Sequence, residues 1–290
     1  MAEYHPAPLE GIQAVTLAVN VPGPAAAARL RQLGASVIKV EPPGGDPLES
    51  FCPPWYAALS AGQKVLRLDL KSQEDREELG RYLATSDLLL TSSRPAALGR
   101  LGLEPEMLLR EHPHLCQVSI VGYPPPREGE PGHDLTYLAE AGLLSPPELP
   151  RTLLADLAGA ERAVVAALGL LLRRERGGGA GREVVSLAQA ALELAEPLRH
   201  GLTAPGGVLG GGFPGYGLYR AADGWVAVAA LEEHFRRRLL AGLGLPEDAG
   251  REEISTRFSR RGCREWETWA RERDLPLVAV GEAPPKGEEE

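Results

Sequence analysis

One asparagine, Asn20, stands in 290 residues. Asparagine is thermolabile, and Arg greatly outnumbers Lys, so the composition fits a GC-rich or heat-adapted source. Cysteine is nearly as scarce: Cys52, Cys116 and Cys263 are far apart, odd in number and in no metal-ligand spacing. That excludes a disulfide frame and predicts reduced thiols in a cytoplasmic protein. Basic charge is also short. The formal net charge is −9, which excludes the dominant basic field that a nucleic-acid partner needs but leaves room for a local basic pocket around a small anionic cofactor. The longest apolar run, Ala163–Leu172, is about half of what a membrane span requires. The N-terminal MAEYHPAPLEG has neither a basic n-region nor a long apolar h-region, so no signal peptide is predicted. There is no Ser-His-Asp elbow, no HExxH, no paired CxxC, no P-loop and no internal repeat.

What is present suffices for a substantial core. With 43% hydrophobic and 24% charged residues, a large domain plus a small one is predicted. GIQAVTLAV (11–19), AAAARLRQLG (25–34) and SVIKVE (36–41) read as a β-α-β unit, with Pro24 in the first helical turn and Gly34 at the helix end. Its strands should be parallel with a right-handed crossover. The alternation continues through strand 64–70, helix 72–84 with Ser72 and Asp75 as a cap pair, strand 87–90, helix 106–111 and strand 115–123. This pattern means an open α/β sheet. LLADLAGAERAVVAALGLLLRRE follows as a helix apolar nearly all round, which should be buried, and then REVVSLAQAALELAEPL as a short strand and another helix. The glycine-rich 206–217 marks the domain boundary, giving a large domain over 1–204 and a small α+β domain over 205–275. The small domain opens with a hairpin around Ala222-Asp223-Gly224, and 276–290 reads as a short strand and an acidic disordered tail.

Four places carry candidate chemistry. The first β-α turn, VNVPGPAAA, lacks the G-x-G-x-x-G cradle of a dinucleotide site, although Glu41 ends the second strand; Lys39 beside it is either a solvated lysine or a phosphate contact. In PGHDLTYLAEAG (131–142), Asp134 suits an N-cap and His133 is either a loop bystander or a base. Asp156, in LLADLAGA, is a cap or a carboxyl whose protonation is tuned by an apolar setting at a helix start. Free N–H groups there could stabilise a negative oxygen. Glu232 ends WVAVAAL and by itself is a capping or surface glutamate.

Seven collinear segments together resemble the family III CoA-transferases, the superfamily that also holds the α-methylacyl-CoA racemases. They are LEGIQAVTLAVNVPGPAAAARLRQLGASVIKVEPPGGDP (9–47), LRLDLKS (66–72), RPAALGRLGL (94–103), PGHDLTYLAEAGLLS (131–145), LLADLAGAERAVVAALGLL (153–171), GGGFPGYGLYRAADGWVAVAALEEHF (210–235) and REWETWARERDLPLVAV (264–280). The resemblance implies a Rossmann-like CoA-binding domain plus a small domain. It also implies a homodimer of two chains threaded through each other as interlocked rings, and CoA carried in by the thioester substrate with no prosthetic group. Lys39, Lys71 and Arg94 fall where the family holds the CoA phosphates and adenine.

Transferases of the family use the aspartate matching Asp156 as a nucleophile, forming a mixed anhydride. The GHD form found here is similar to the racemase branch instead. By that resemblance His133 and Asp156 face opposite sides of the thioester α-carbon, Glu232 orients or charge-balances His133, and Asp134 supports the site. A histidine, with an ordinary pKa of about 6.5, suits the base. The chain departs from the pattern in three ways: Ser60-Ala61 replaces an Asn-Arg pair, the loops before and after His133-Asp134 are short, and little follows PLVAV. Three readings stay open: a racemase or epimerase of 2-methylacyl-CoA thioesters, a CoA-transferase using Asp156 covalently, and a CoA-binding family member without catalysis.

Overall fold

The computed structural model describes residues 6–281. Contacts divide the chain into two compact units after Ala195, nine residues before the boundary that the glycine-rich stretch suggests. The first unit runs β1 (Gln13–Thr16), α1 (Pro22–Gln32), β2 (Ser36–Glu41), α2 (Pro47–Phe51), α3 (Pro53–Ser60), β3 (Lys64–Arg67), α4 (Gln73–Leu83) and β4 (Leu88–Thr91). It continues with α5 (Pro95–Arg100), α6 (Pro105–Glu111), β5 (Cys116–Val121), α7 (Asp134–Glu140), α8 (Leu154–Arg173), β6 (Arg182–Ser186) and α9 (Leu187–Leu194).

Its six strands form one parallel sheet in the order β3-β2-β1-β4-β5-β6. Helices cover both faces, so the central strands are buried on both sides and alternate between two cores. Leu88 and Leu90 of β4 point to the core containing α1 and α8, while Leu89 points to the core containing α4, α5 and α6. At the start of α1, a Cβ on Gly23 would collide with Ala18, and Gly34 ends the helix at φ 106°, a conformation that glycine adopts without steric cost. Of the predicted cap pair on α4, Ser72 Oγ accepts from Asp75 N at 3.4 Å, but the Asp75 carboxylate accepts from Asp69 N instead.

Helix α8 is less enclosed than its composition predicts. Ala155, Gly159, Ala160, Ala163, Val164, Ala167, Leu170 and Leu171 form one buried stripe, while Val165 and Leu172 face outward. The small side chains on that stripe let the helix lie close on the sheet, so one face suffices to anchor it.

The second unit holds α10 (Glu196–Arg199), β7 (Tyr216–Arg220), β8 (Trp225–Ala229), α11 (Glu233–Leu243), α12 (Arg251–Phe258), α13 (Cys263–Arg271) and β9 (Leu277–Ala279). The hairpin β7-β8 turns at 221–224, closed by Ala221 N donating to Gly224 O. The PLVAV strand pairs antiparallel with β8, Ala227 opposite Val278, so it is the third strand of this sheet rather than a segment beyond the small domain. An aromatic core of Tyr219, Phe258, Trp266 and Trp269 fills one side, and Trp266 Nε1 donates to Phe258 O at 2.8 Å. The acidic tail predicted over 282–290 lies outside the described residues.

Candidate active site

The strand order reverses between β1 and β4, and the crevice beyond the carboxyl ends of the strands at such a point is where open α/β sheets bind ligands. A cavity of about 160 Å³ lies there, walled by Asn20 and Pro22 after β1, Ser92, Ser93 and Arg94 after β4, and Gly122 after β5. His133 and Asp156 both line it. Two residues 23 apart in sequence are therefore brought to one cavity by α7 and α8.

Asp156 lies in the first turn of α8, where backbone N–H groups have no partner within the helix. Its own N–H donates to Asp134 Oδ1 at 3.0 Å. This corrects the role read for Asp134. That carboxylate does not cap its own helix; it caps α8, 22 residues downstream, and is itself buried. The start of α7 is served by His133 and Thr136: His133 N donates to Thr136 Oγ1 at 3.0 Å, and that hydroxyl donates to His133 O at 2.8 Å. Threonine can do this because its hydroxyl both accepts and donates.

Burial pushes the Asp156 carboxyl up to about 7, helped by the negative Asp134 beside it. It therefore exchanges a proton readily near neutral pH. Tyr137, not singled out from the sequence although it lies within the GHD segment, also lines the cavity. Burial, then the Asp156 charge, push its phenol to about 12, so it stays protonated. Its ring packs edge-on against Tyr123 at 5.2 Å and against Gly122 and Gly132, where any Cβ would strike the ring or hydroxyl. His133 itself is exposed at the cavity wall.

The three expected cofactor contacts separate. Arg94, at the start of α5, lines the His133 cavity and makes no ion pair among the described residues. Lys71 is exposed on a neighbouring cavity of about 340 Å³ that includes Glu41, Leu68 and Leu98, and Ser93 lines both cavities. Lys39 is 0% exposed, with Nζ 2.8 Å from Glu41 and 2.7 Å from Asp46 and lying over the Tyr56 ring. Its charge is satisfied inside the fold, so this geometry assigns it no phosphate. Lys39→Met should therefore lower stability by about 3–5 kcal/mol, the cost of leaving buried carboxylates unpaired, measured by urea unfolding. Unchanged stability with weakened CoA binding would contradict this placement.

Glu232 belongs to the second unit, exposed just before α11 with its backbone O accepting from Arg236 N. The adjacent Glu233 is the one held by Arg236 and Arg237.

The model of CoA-transferase family III matches residues 9–275. The chain belongs to this family. Human alpha-methylacyl-CoA racemase is 36% identical over 262 residues, covering 83% of this chain and 66% of the human protein. Succinyl-CoA:mesaconate CoA-transferase of Haloarcula hispanica is 26% identical over 300 residues, covering 89% and 74%. A crystal structure of a hypothetical protein from Mycobacterium tuberculosis superposes with a TM-score of 0.81 at 25% identity, covering 98% of this chain and 94% of that one. The chain thus spans about two thirds of the length of the human racemase it matches. Among the described residues no helix is long and apolar enough to cross a membrane.

Proposed function

We propose that this family III member is an acyl-CoA racemase or epimerase that interconverts the 2-methyl stereocentre of acyl-CoA thioesters. One observation carries the reading: a histidine and a carboxyl poised at about 7 line the same cavity at the ligand-binding edge of the sheet. In one direction His133 takes the α-proton, the electrons move into the thioester carbonyl to form an enolate, and protonated Asp156 returns a proton to the opposite face. In the other direction the roles exchange. No atom is gained or lost, so no cofactor beyond the CoA of the substrate is needed.

A carboxyl at about 7 holds both protonation states in quantity at neutral pH, as a two-way proton donor and acceptor must. The enolate oxygen needs preorganised donors. Asp134 occupies the Asp156 N–H, which leaves the earlier amides of Leu154 and Ala155 at the helix start for that role. In this reading Arg94 and Lys71 hold the CoA phosphates and adenine along the two adjoining cavities, and the enzyme works as an interlocked homodimer in the cytoplasm.

The second reading, acyl transfer through an Asp156 anhydride, is favoured by the same carboxyl, since its ionised half at neutral pH is a desolvated nucleophile. Incubating (S)-2-methylbutanoyl-CoA in deuterium oxide, with and without free propionate, separates the readings. Deuterium at the α-carbon with loss of chirality is expected. Transfer of CoA to propionate, giving propionyl-CoA and free 2-methylbutanoate, without α-deuteration would replace this reading by transfer, and binding with neither reaction would leave a CoA-binding protein.

A further inference from the structure

The turn that carries Asn20 to the cavity wall is held by three side chains, one at the end of β1 itself and two from the segments that follow β4 and β2. Ala18 N donates to Thr16 Oγ1 at 3.1 Å, Val19 N to Ser92 Oγ at 3.3 Å beyond β4, and Asn20 N to Asp46 Oδ1 at 2.9 Å beyond β2. Asn20 has φ 69°, the left-handed region that costs most side chains about 1–2 kcal/mol and that asparagine tolerates best after glycine. A conformation of that kind persists only where its surroundings impose it.

Asp46 is suited to impose it. It is buried, its Oδ2 accepts from Lys39 Nζ at 2.7 Å, and its Oδ1 accepts from both Asn20 N and Leu48 N. Lys39 is fixed in turn by Glu41 Oε1 at 2.8 Å, which also accepts from the Tyr56 hydroxyl at 2.8 Å. The bond to Asn20 is thus charge-assisted: Asn20 is exposed, but its acceptor belongs to an ion cluster of buried Lys39, Glu41 and Asp46, and charge-assisted bonds are shorter and stronger than neutral ones. We propose that Asp46, clamped by Lys39, is a positioning residue that locks the Asn20 turn and so sets the wall of the cavity containing His133 and Asp156. The turn contributes Asn20 and Pro22 to that cavity, so its release displaces the wall against which the thioester is aligned, and misplacement of about 1 Å can cost roughly 10²-fold in rate.

The kinetic part of this inference rests on the proposed proton transfer; the structural part does not. Asn20 is the chain's only asparagine, so protein labelled with ¹⁵N-asparagine gives one backbone amide signal. In the wild-type chain that amide is expected to be protected from hydrogen exchange; in Asp46→Asn, where the new asparagine adds a second signal that the wild-type spectrum lacks, the protection of the Asn20 amide should fall at least about 10-fold. The same variant should lower kcat for α-proton exchange about 10- to 100-fold while KM moves less than about 3-fold. Should Asp46→Asn fail to fold, Asn20→Val keeps the ion cluster and disfavours the left-handed turn, and Asn20→Gly, which also removes the side chain from the cavity wall, separates the two effects. Asn20→Val should lose kcat to a similar degree, with Asn20→Gly recovering most of it. Protection unchanged in a folded Asp46→Asn protein overturns the proposal, as does a KM raised about 10-fold at constant kcat, which would make the cluster a cofactor contact. A wild-type chain without turnover would defeat the racemase reading alone, and the amide protection would still decide the role of Asp46.

Discussion

Asp156→Asn is expected to melt at a higher temperature than the wild-type chain at pH 8, to match it closely at pH 4, and to lose α-proton exchange by about 10²- to 10⁴-fold. The reason is the upward displacement of the Asp156 carboxyl from 3.8 to about 7 by burial and by Asp134. Well below 3.8 the aspartic acid is protonated in both the folded and the unfolded chain, and at pH 4 the loss of stability has only begun. Between about 4 and 7 the unfolded chain releases this proton while the folded one retains it, so stability falls as pH rises through that window. Above 7 the loss is complete and amounts to about 4 kcal/mol at most, from three pKa units at about 1.4 kcal/mol each. Asparagine stays neutral throughout and keeps the backbone N–H that Asp134 accepts, so it removes the penalty without removing the cap. Thermal melts at the two pH values check this. An equal shift at both, or destabilisation at pH 8, would mean that the carboxylate is stabilised in the fold rather than strained. Loss of activity with gain of stability is the expected mark of a group kept for chemistry.

The sheet was readable because its strands speak locally: DLLL is short, apolar and bounded by polar residues, and only a strand buried on both faces satisfies it. Helix starts with proline and ends with glycine, such as α1, were equally plain. The misreadings share a cause. Asp134 looks like the cap of the helix that it begins, because capping is ordinarily local, yet its partner is Asp156 N, 22 residues away. Lys39 reads as a free cation, in solvent or on a CoA phosphate, because lysine usually is one, and only the arrival of Asp46 from the loop after β2 shows where its charge goes. PLVAV follows three charged helices, and nothing local says that it returns to pair with β8. Residues whose role depends on a distant partner carried no signal in their own neighbourhood, and the cavity is built from just such residues. Tyr137 and Asn20 reached it in the same way, one by packing on Gly122 and Gly132, the other through a turn held by Asp46.

His133→Ala should separate proton transfer from acyl transfer, because the histidine has almost nothing structural to lose. Its side chain is exposed, and the hydrogen bonds that start α7 run through its backbone and the Thr136 hydroxyl. Alanine keeps both of those bonds, so stability should stay within about 0.5 kcal/mol of the wild-type chain. Racemisation should nonetheless fall by about 10²- to 10⁴-fold, since one face of the α-carbon loses its acid or base. The loss should be one-sided. The enantiomer whose proton faces Asp156 should still exchange it for deuterium and receive it back on the same face, giving labelled but uninverted product. The other enantiomer should be inert. Mass spectrometry and chiral analysis of each enantiomer in deuterium oxide read the two outcomes separately. An acyl transferase working through Asp156 alone would leave its exchange with free propionate intact in His133→Ala and lose it in Asp156→Ala. Equal loss of exchange from both enantiomers would instead show that His133 binds or orients the thioester, leaving Asp156 without a complementary base.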